Sequence, residues 1–285
     1  MTSKAMPSIR GLLFTTLVIS AFLSLGSSCQ IAPLLVGQPT YVPTPTFPPF
    51  PATLAPLLTL TPSPLPISTP APYPQIVSRQ KQVDGKKLYT MTLNYPYLEG
   101  ASDARFDLFN LEVDKIVNSI QQDFLENLQN FAATPDPNMA PSFLGSNYQI
   151  TNGNAGLLSV LFSVDFYLSG AAHPNDNFRT LNLNIAEGKV LALADLFKPG
   201  ADYLKVISDF CIQDLKKQDR LESESGATPD PQNYRSWNIT PQGLLISFDP
   251  YQVASYAMGP QVVTIPYAYL KDILNPVGPL SAMLQ

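Results

Sequence analysis

The sequence contains one histidine, His173, and histidine is the side chain best suited to proton transfer near neutral pH. Ser169 precedes it, and two carboxylates, Asp165 and Asp176, flank it in the chain. A serine, a histidine and an aspartate could form a nucleophilic triad. Triads, however, draw their members from distant segments, and the sequence has no Gly-x-Ser-x-Gly elbow. A metal site on His173 and Asp176 would need further carboxylates and lacks a recognised ligand spacing.

Two other interpretations of His173 remain: a loop histidine whose ring bonds to backbone near Gly170 and Pro174, or a contact to a ligand. The first is the more common role for an isolated histidine. Other paired carboxylates, such as Asp202 and Asp209, lie on a predicted helix face and are typical of solvated charges. The chain has no phosphate loop or cofactor motif, so we expect no cofactor, no metal and no enzymatic activity.

The two cysteines have different settings. Cys29 follows an apolar run from Gly11 and the small residues at 26–28, as at the cleavage site of a bacterial lipoprotein signal. We expect its lipidation, with an ordinary cleaved signal or an uncleaved N-terminal anchor as alternatives. Cys211 lies on the apolar face of a predicted helix, which favours a core position. All three N-terminal alternatives place the rest of the chain outside the cytoplasmic membrane.

Three segments follow from the composition: a signal at 1–29, a stalk at 30–75 and a domain at 76–285. Residues 31–75 hold 14 of the 29 prolines and no charged residue. Proline fixes φ and removes backbone donors, so we expect a disordered or polyproline-II spacer. The charges are concentrated in the domain, which carries a net −7, because Lys4 and Arg10 are the only charges before Arg79. This sign excludes general electrostatic attraction to nucleic acid.

The elements that must position His173 can be read from apolar periodicity. A stripe with spacings of three and four predicts a long helix after Asp103. Alternation predicts a strand over 88–95. Stricter alternation predicts another over 158–168, directly before the histidine loop, and a hairpin over 181–193. A second helix around Cys211, a hairpin over 237–248, a strand at 262–266 and a closing helix at 267–274 complete the pattern. This order predicts an α+β fold with a largely antiparallel sheet and two main helices packed on one face.

Several segments carry a family resemblance: YLSGAAHPN at 167–175, NLNIAEGKVLALADLF at 182–197, GLLISFDPY at 243–251, AMG at 257–259 and IPY at 265–267. They resemble the extracytoplasmic domain of RsiV-type anti-sigma factors and the N-terminal region of some peptidoglycan deacetylases. The resemblance covers about residues 80–275. It implies an α+β domain that binds a ligand at the cell envelope, which is lysozyme in the anti-sigma factors. We expect neither a sigma-factor-binding segment before the signal nor a deacetylase domain after residue 275.

We therefore expect a non-enzymatic, lipid-anchored module on the extracytoplasmic side of the cell membrane that binds a lysozyme-like protein or peptidoglycan. The alternative is a hydrolase acting on cell-wall material. The candidate ligand-binding residues are His173, Tyr251 and Tyr256, from two loops rich in Gly, Pro and Tyr. These tyrosines could equally complete the edge of the core.

Overall fold

The computed structural model describes residues 74–86, 88–100, 103–131, 139–154 and 156–283. The predicted signal, Cys29 and all of the predicted stalk except residues 74 and 75 lie outside these ranges. Nine strands and three α-helices form the described part of the chain. They are β1 (Gln75–Asp84), β2 (Tyr89–Glu99), α1 (Ala104–Asn130), β3 (Ser142–Asn152), β4 (Leu157–Tyr167), β5 (Asn175–Asn184), β6 (Lys189–Val190), α2 (Tyr203–Lys217), β7 (Trp237–Ile239), β8 (Gly243–Phe248), β9 (Gln261–Pro266) and α3 (Tyr267–Leu270).

The first six strands form one sheet in chain order. Every neighbouring pair is antiparallel except β2 and β3, which run parallel. Parallel neighbours need a long crossover connection, and α1 supplies it. The predicted apolar stripe of α1 faces this sheet, with Phe109, Val113 and Phe124 fully buried in the shared core.

The first turn of α1 is stabilised where the sequence predicted it. The carboxylate of Asp103 accepts a hydrogen bond from the Arg105 backbone N–H at 2.9 Å, which satisfies one of the helix's free donors. The Arg105 guanidinium and the same N–H lower the pKa of Asp103 to about 2. The cap therefore stays ionised at pH values at which an ordinary aspartate becomes protonated.

The last three strands form a second sheet, which packs with α2 around its own core. Ile207, Cys211 and Leu215 of α2 are buried there together with Ile239 and Ile265 of the sheet. The buried position predicted for Cys211 is confirmed. The α+β class and the largely antiparallel pairing are confirmed too, although the strands divide into two sheets and each main helix covers a different one.

Ser159 of β4 joins the two sheets. Its fully buried Oγ donates to Asn182 Oδ1 at 2.6 Å and accepts from Asn238 Nδ2 and the Ile239 backbone N–H at 3.0 Å each. Asn182 Nδ2 in turn donates to the Trp237 carbonyl at 2.8 Å. Strands β4 and β5 of the large sheet thus hold β7 of the small sheet through a buried polar network.

Two strands were not predicted, and the predicted closing helix is shorter than expected. Strand β1 is an exposed, charged edge, and β3 mixes Ser, Gly and Asn with its apolar residues, so neither alternates clearly. The closing helix spans only Tyr267–Leu270, and turns follow it. Among the described helices, none combines the length and apolar character needed to span a membrane.

Candidate functional site

The structure brings together the three residues that the sequence singled out. His173 Nε2 lies 3.1 Å from the hydroxyl of Tyr251. The His173 ring stacks on the Tyr256 ring, with centroids 3.8 Å apart and planes inclined by 23°. The Tyr251 and Tyr256 rings have centroids 5.8 Å apart and planes inclined by 27°. We call these residues the aromatic cluster. Tyr251 is 62% exposed, whereas His173 and Tyr256 are half-buried. The Tyr251 ring therefore faces solvent, and the other two rings lie beneath it.

Local backbone geometry places each member of the cluster. His173 lies in the loop between β4 and β5, which turns at Gly170 with φ of 92°. Tyr256 begins a short 3-10 turn that ends at Gly259, where φ is 68°. Tyr251 itself has φ of 67°, a left-handed conformation that is costly for a bulky residue. The surrounding fold holds this tyrosine in a strained position on the surface.

Both nitrogens of the His173 ring are engaged. Nδ1 lies 2.7 Å from the Pro174 carbonyl, as the structural interpretation expected, and Nε2 contacts the Tyr251 hydroxyl. With Nδ1–H donating to the carbonyl, the tyrosine hydroxyl donates to Nε2. Ser169, Asp165 and Asp176 are not among the ring's hydrogen-bond partners, so this structure does not assemble the triad considered from the sequence. Across the described ranges, no group of three or more acidic, histidine or cysteine side chains is arranged to hold a metal ion.

The two carboxylates considered for that triad face each other instead. Asp165 and Asp176 are direct partners across β4 and β5. Burial, and secondarily the charge of Asp176, raises the pKa of Asp165. Its carboxylate packs over Gly145 of β3, where an added Cβ would come within 2.6 Å of Oδ1. The fold therefore disfavours the ionised form of Asp165 relative to that of a free aspartate.

Asp249, which the sequence interpretation missed, connects the loop of Tyr251 to the large sheet. Its carboxylate accepts from the Phe178 backbone N–H of β5 at 2.8 Å. Burial raises the pKa of Asp249, while that hydrogen bond and the charges of Arg179 and Arg235 oppose the shift. An aspartate directly after a strand is too common for sequence alone to identify it.

An open cleft of about 420 Å³ lies beside Tyr251. Most of its lining residues are polar and come from the loop before β7 and the loop after β8. They are Gln232, Asn233, Arg235, Asp249, Tyr251 and Gln252. The Gln252 amide is fully engaged, donating to the carbonyls of Gly226 and Asn233 and accepting from the Asp249 N–H. Gln252 thus fixes the cleft wall.

Comparisons with known proteins divide the chain much as the two cores do. Residues 82–176, which run from β1 to the start of β5, match the family model described as deacetylase PdaC. Residues 194–268, which include α2 and the small sheet, match a protein family of unknown function, DUF3298. The first part of the described chain is thus similar to the PdaC family, and the second part is similar to DUF3298.

Two curated relatives are similar over about half of the chain. The peptidoglycan-N-acetylmuramic acid deacetylase PdaC of Bacillus subtilis is 29% identical over 137 residues, which are 46% of this chain and 29% of that protein. The immunogenic protein MPT64 of Mycobacterium tuberculosis is 24% identical over 148 residues, or 50% of this chain and 64% of that protein. This chain therefore matches less than a third of the deacetylase and just under two thirds of MPT64.

A solved structure supports the fold. The crystal structure of a DUF3298 family member from Bacteroides fragilis superposes with a TM-score of 0.55 at 17% identity. The superposition covers 75% of this chain and 98% of that one. At this identity the likeness concerns the fold alone.

Proposed function

We propose that the 76–285 domain is a non-catalytic module that binds an extracytoplasmic macromolecule through the aromatic cluster. The observation that carries the proposal is that His173 meets Tyr251 and Tyr256. These residues come from two different loops, and His173 and Tyr251, which share a hydrogen bond, are 78 residues apart in the sequence. Loops on a rigid scaffold are the usual place for binding residues. Tyrosines offer a large contact area at a small cost in conformational entropy.

The partner class in this proposal is a lysozyme-like protein or peptidoglycan. The PdaC-like match and the RsiV-type resemblance support a ligand at the cell envelope. The net charge of −7 on the domain suits a basic protein, since complementary charge accelerates encounter. Peptidoglycan is supported by the similarity to the peptidoglycan deacetylase PdaC, although the deacetylase activity belongs to that protein.

The alternative, a cell-wall-directed hydrolase, has less support from the site. A general base must reach the proton that it abstracts. His173 instead directs its two nitrogens to the Pro174 carbonyl and the Tyr251 hydroxyl. For this reason we favour binding without turnover.

Anchoring through Cys29 on the extracytoplasmic side of the membrane belongs to the same proposal and rests on the sequence. Cys29→Ser should leave the precursor unprocessed or release the protein from the membrane fraction. Membrane fractionation measures the location of the variant, and mass spectrometry of the N-terminus measures its processing. If neither differs from wild type, lipidation is excluded.

The binding proposal can be tested by sedimentation with insoluble peptidoglycan and by calorimetry with a basic lysozyme. We expect Tyr251→Ala with Tyr256→Ala to weaken binding at least tenfold while the fold survives. Tyr269→Ala is a matched control, because Tyr269 is an exposed tyrosine, 48% accessible, on α3. Equal binding by the double variant would refute this contact surface. Release of acetate or of soluble fragments from peptidoglycan would refute the absence of turnover.

A further inference from the structure

We infer that the cleft beside Tyr251 is a subsite for one sugar ring of a neutral glycan chain. This inference rests on the proposed binding function and narrows its ligand from a macromolecule in general to a saccharide. Three features carry it: an exposed aromatic face, polar groups of both hydrogen-bonding kinds beside it, and a nearly neutral charge balance.

The exposed face belongs to Tyr251. A sugar ring has faces of polarised C–H groups, and the π face of an aromatic ring carries partial negative charge that attracts them. Tyr251 presents such a face to solvent, since 62% of the residue is exposed. Its hydroxyl is tied to His173 Nε2 at 3.1 Å, so the ring is held in place before any ligand arrives.

Polar groups line the same cleft as this ring. Hydroxyls at a sugar's edge both donate and accept, so a sugar site needs both kinds of partner. The Arg235 guanidinium only donates, the Asp249 carboxylate only accepts when ionised, and the Gln232 amide does both. All three line the cleft with Tyr251. Asp249 is held by the Phe178 N–H at 2.8 Å, which fixes its oxygens at the cleft wall.

Charge and size narrow the class of ligand. The cation Arg235 and the anion Asp249 balance each other, which favours a neutral ligand over an anion or a cation. A volume of about 420 Å³ is at the small end of ligand sites and can hold a sugar ring with some water. The cleft is open to solvent, so a glycan chain could continue beyond the ring that it holds.

The strained backbone at Tyr251 gives independent support. A bulky residue at φ of 67° costs stability, and such strain persists where the surroundings impose it, often at ligand sites. Glycine or asparagine would adopt this conformation more easily. Tyrosine at this position therefore fits a role for its ring that local backbone energetics do not explain.

The test titrates the full chain with two neutral tetramers, β-1,4-linked N-acetylglucosamine and β-1,4-linked glucose, by calorimetry and by chemical-shift changes. We expect wild-type protein to bind at least one of them. Tyr251→Ala should weaken that binding at least tenfold, whereas Tyr251→Phe, which keeps the ring, should stay within about threefold. Gln232→Ala and Arg235→Gln should each weaken it severalfold, and Tyr269→Ala should leave it unchanged.

The outcomes separate this inference from the proposed function. Binding of peptidoglycan or a basic lysozyme without binding of either tetramer overturns the sugar subsite and leaves the binding module standing. Tetramer binding that Tyr251→Ala leaves unchanged overturns this location for the subsite. Failure of wild type to bind the tetramers, peptidoglycan and lysozyme overturns both proposals. Cleavage of a bound tetramer keeps the subsite and removes the claim that the module is non-catalytic.

Discussion

Ser159→Ala should destabilise the protein far more than a single buried hydroxyl suggests, because it removes the centre of the network between the sheets. Without Oγ, Asn238 Nδ2 and the Ile239 N–H lose an acceptor and Asn182 Oδ1 loses a donor. The Thr151 hydroxyl also donates to Ser159 Oγ, at 2.8 Å, but it keeps a partner without it because it reaches the Ser159 carbonyl at 3.3 Å.

The magnitude follows from the number of orphaned groups. Each buried polar group left without a partner costs about 1–3 kcal/mol. Three such groups, partly relieved by relaxation of the amides, give an expected loss of about 3 kcal/mol. With a urea slope of about 1–3 kcal/mol per M, the unfolding midpoint should fall by about 1 M or more.

The assay can follow the two sheets separately. Trp237 is the one tryptophan in the sequence and lies buried in β7, so its fluorescence reports on the small sheet. Far-ultraviolet circular dichroism reports on both sheets. In wild type we expect the two urea transitions to coincide, and in Ser159→Ala we expect fluorescence to change first. Ser163→Ala is the matched control, because Ser163 is exposed on the same strand. A loss below 0.5 kcal/mol, or no difference from Ser163→Ala, would refute the network's importance.

Three further predictions concern single residues. Burial raises the pKa of Asp165 in the folded state, so its ionisation destabilises the protein above that pKa and has no effect below the unfolded value near 3.9. Asp165→Asn should raise the free energy of unfolding in urea by up to about 1 kcal/mol at pH 7 and not at pH 3, and equal effects at both pH values would contradict this. Tyr251→Gly should keep the free energy of unfolding unchanged or raise it by up to about 1 kcal/mol, because it relieves the left-handed strain. A loss of stability in thermal unfolding would show instead that the ring stabilises the fold. Burial raises the pKa of Cys211, so a thiol reagent should modify it only as fast as the protein unfolds, and rapid labelling of the native protein, read by peptide mass spectrometry, would argue against a rigid second core.

The sequence predicted elements whose periodicity is strong and local. The apolar stripe of α1, the alternation of β4 and the core position of Cys211 each depend on neighbours a few residues away. The burial of Ser159 could not be predicted in this way. Alternation assigned it to a solvent-facing side of β4, but the small sheet, about 80 residues later in the chain, covers that side.

The residues of the candidate site likewise divide into those that the local sequence predicts and those that it does not. Composition of the loops sufficed to select His173, Tyr251 and Tyr256, since exposed aromatic residues among Gly and Pro are a recognisable pattern. The partners that shape the cleft, Gln232 and Asp249, are ordinary polar residues in their local sequence. Asp249 lies close to Tyr251 in the chain, but its bond to the Phe178 N–H of β5 depends on the tertiary fold, as does the approach of Gln232 from the loop before β7.

The two edges of the large sheet determine whether neighbouring copies of the protein can pair through their strands. Unpaired strand edges invite pairing with another chain, and natural proteins protect them with charge or with very short strands. Strand β1 at one edge carries Arg79, Lys81 and Asp84 and is mostly exposed. At the other edge the two-residue β6 covers the end of β5, and the Asp249 carboxylate takes the Phe178 N–H farther along β5. Neither edge offers a long, flat, apolar template for a neighbouring copy. Many copies confined to one surface could therefore lie side by side without aggregating through their sheets.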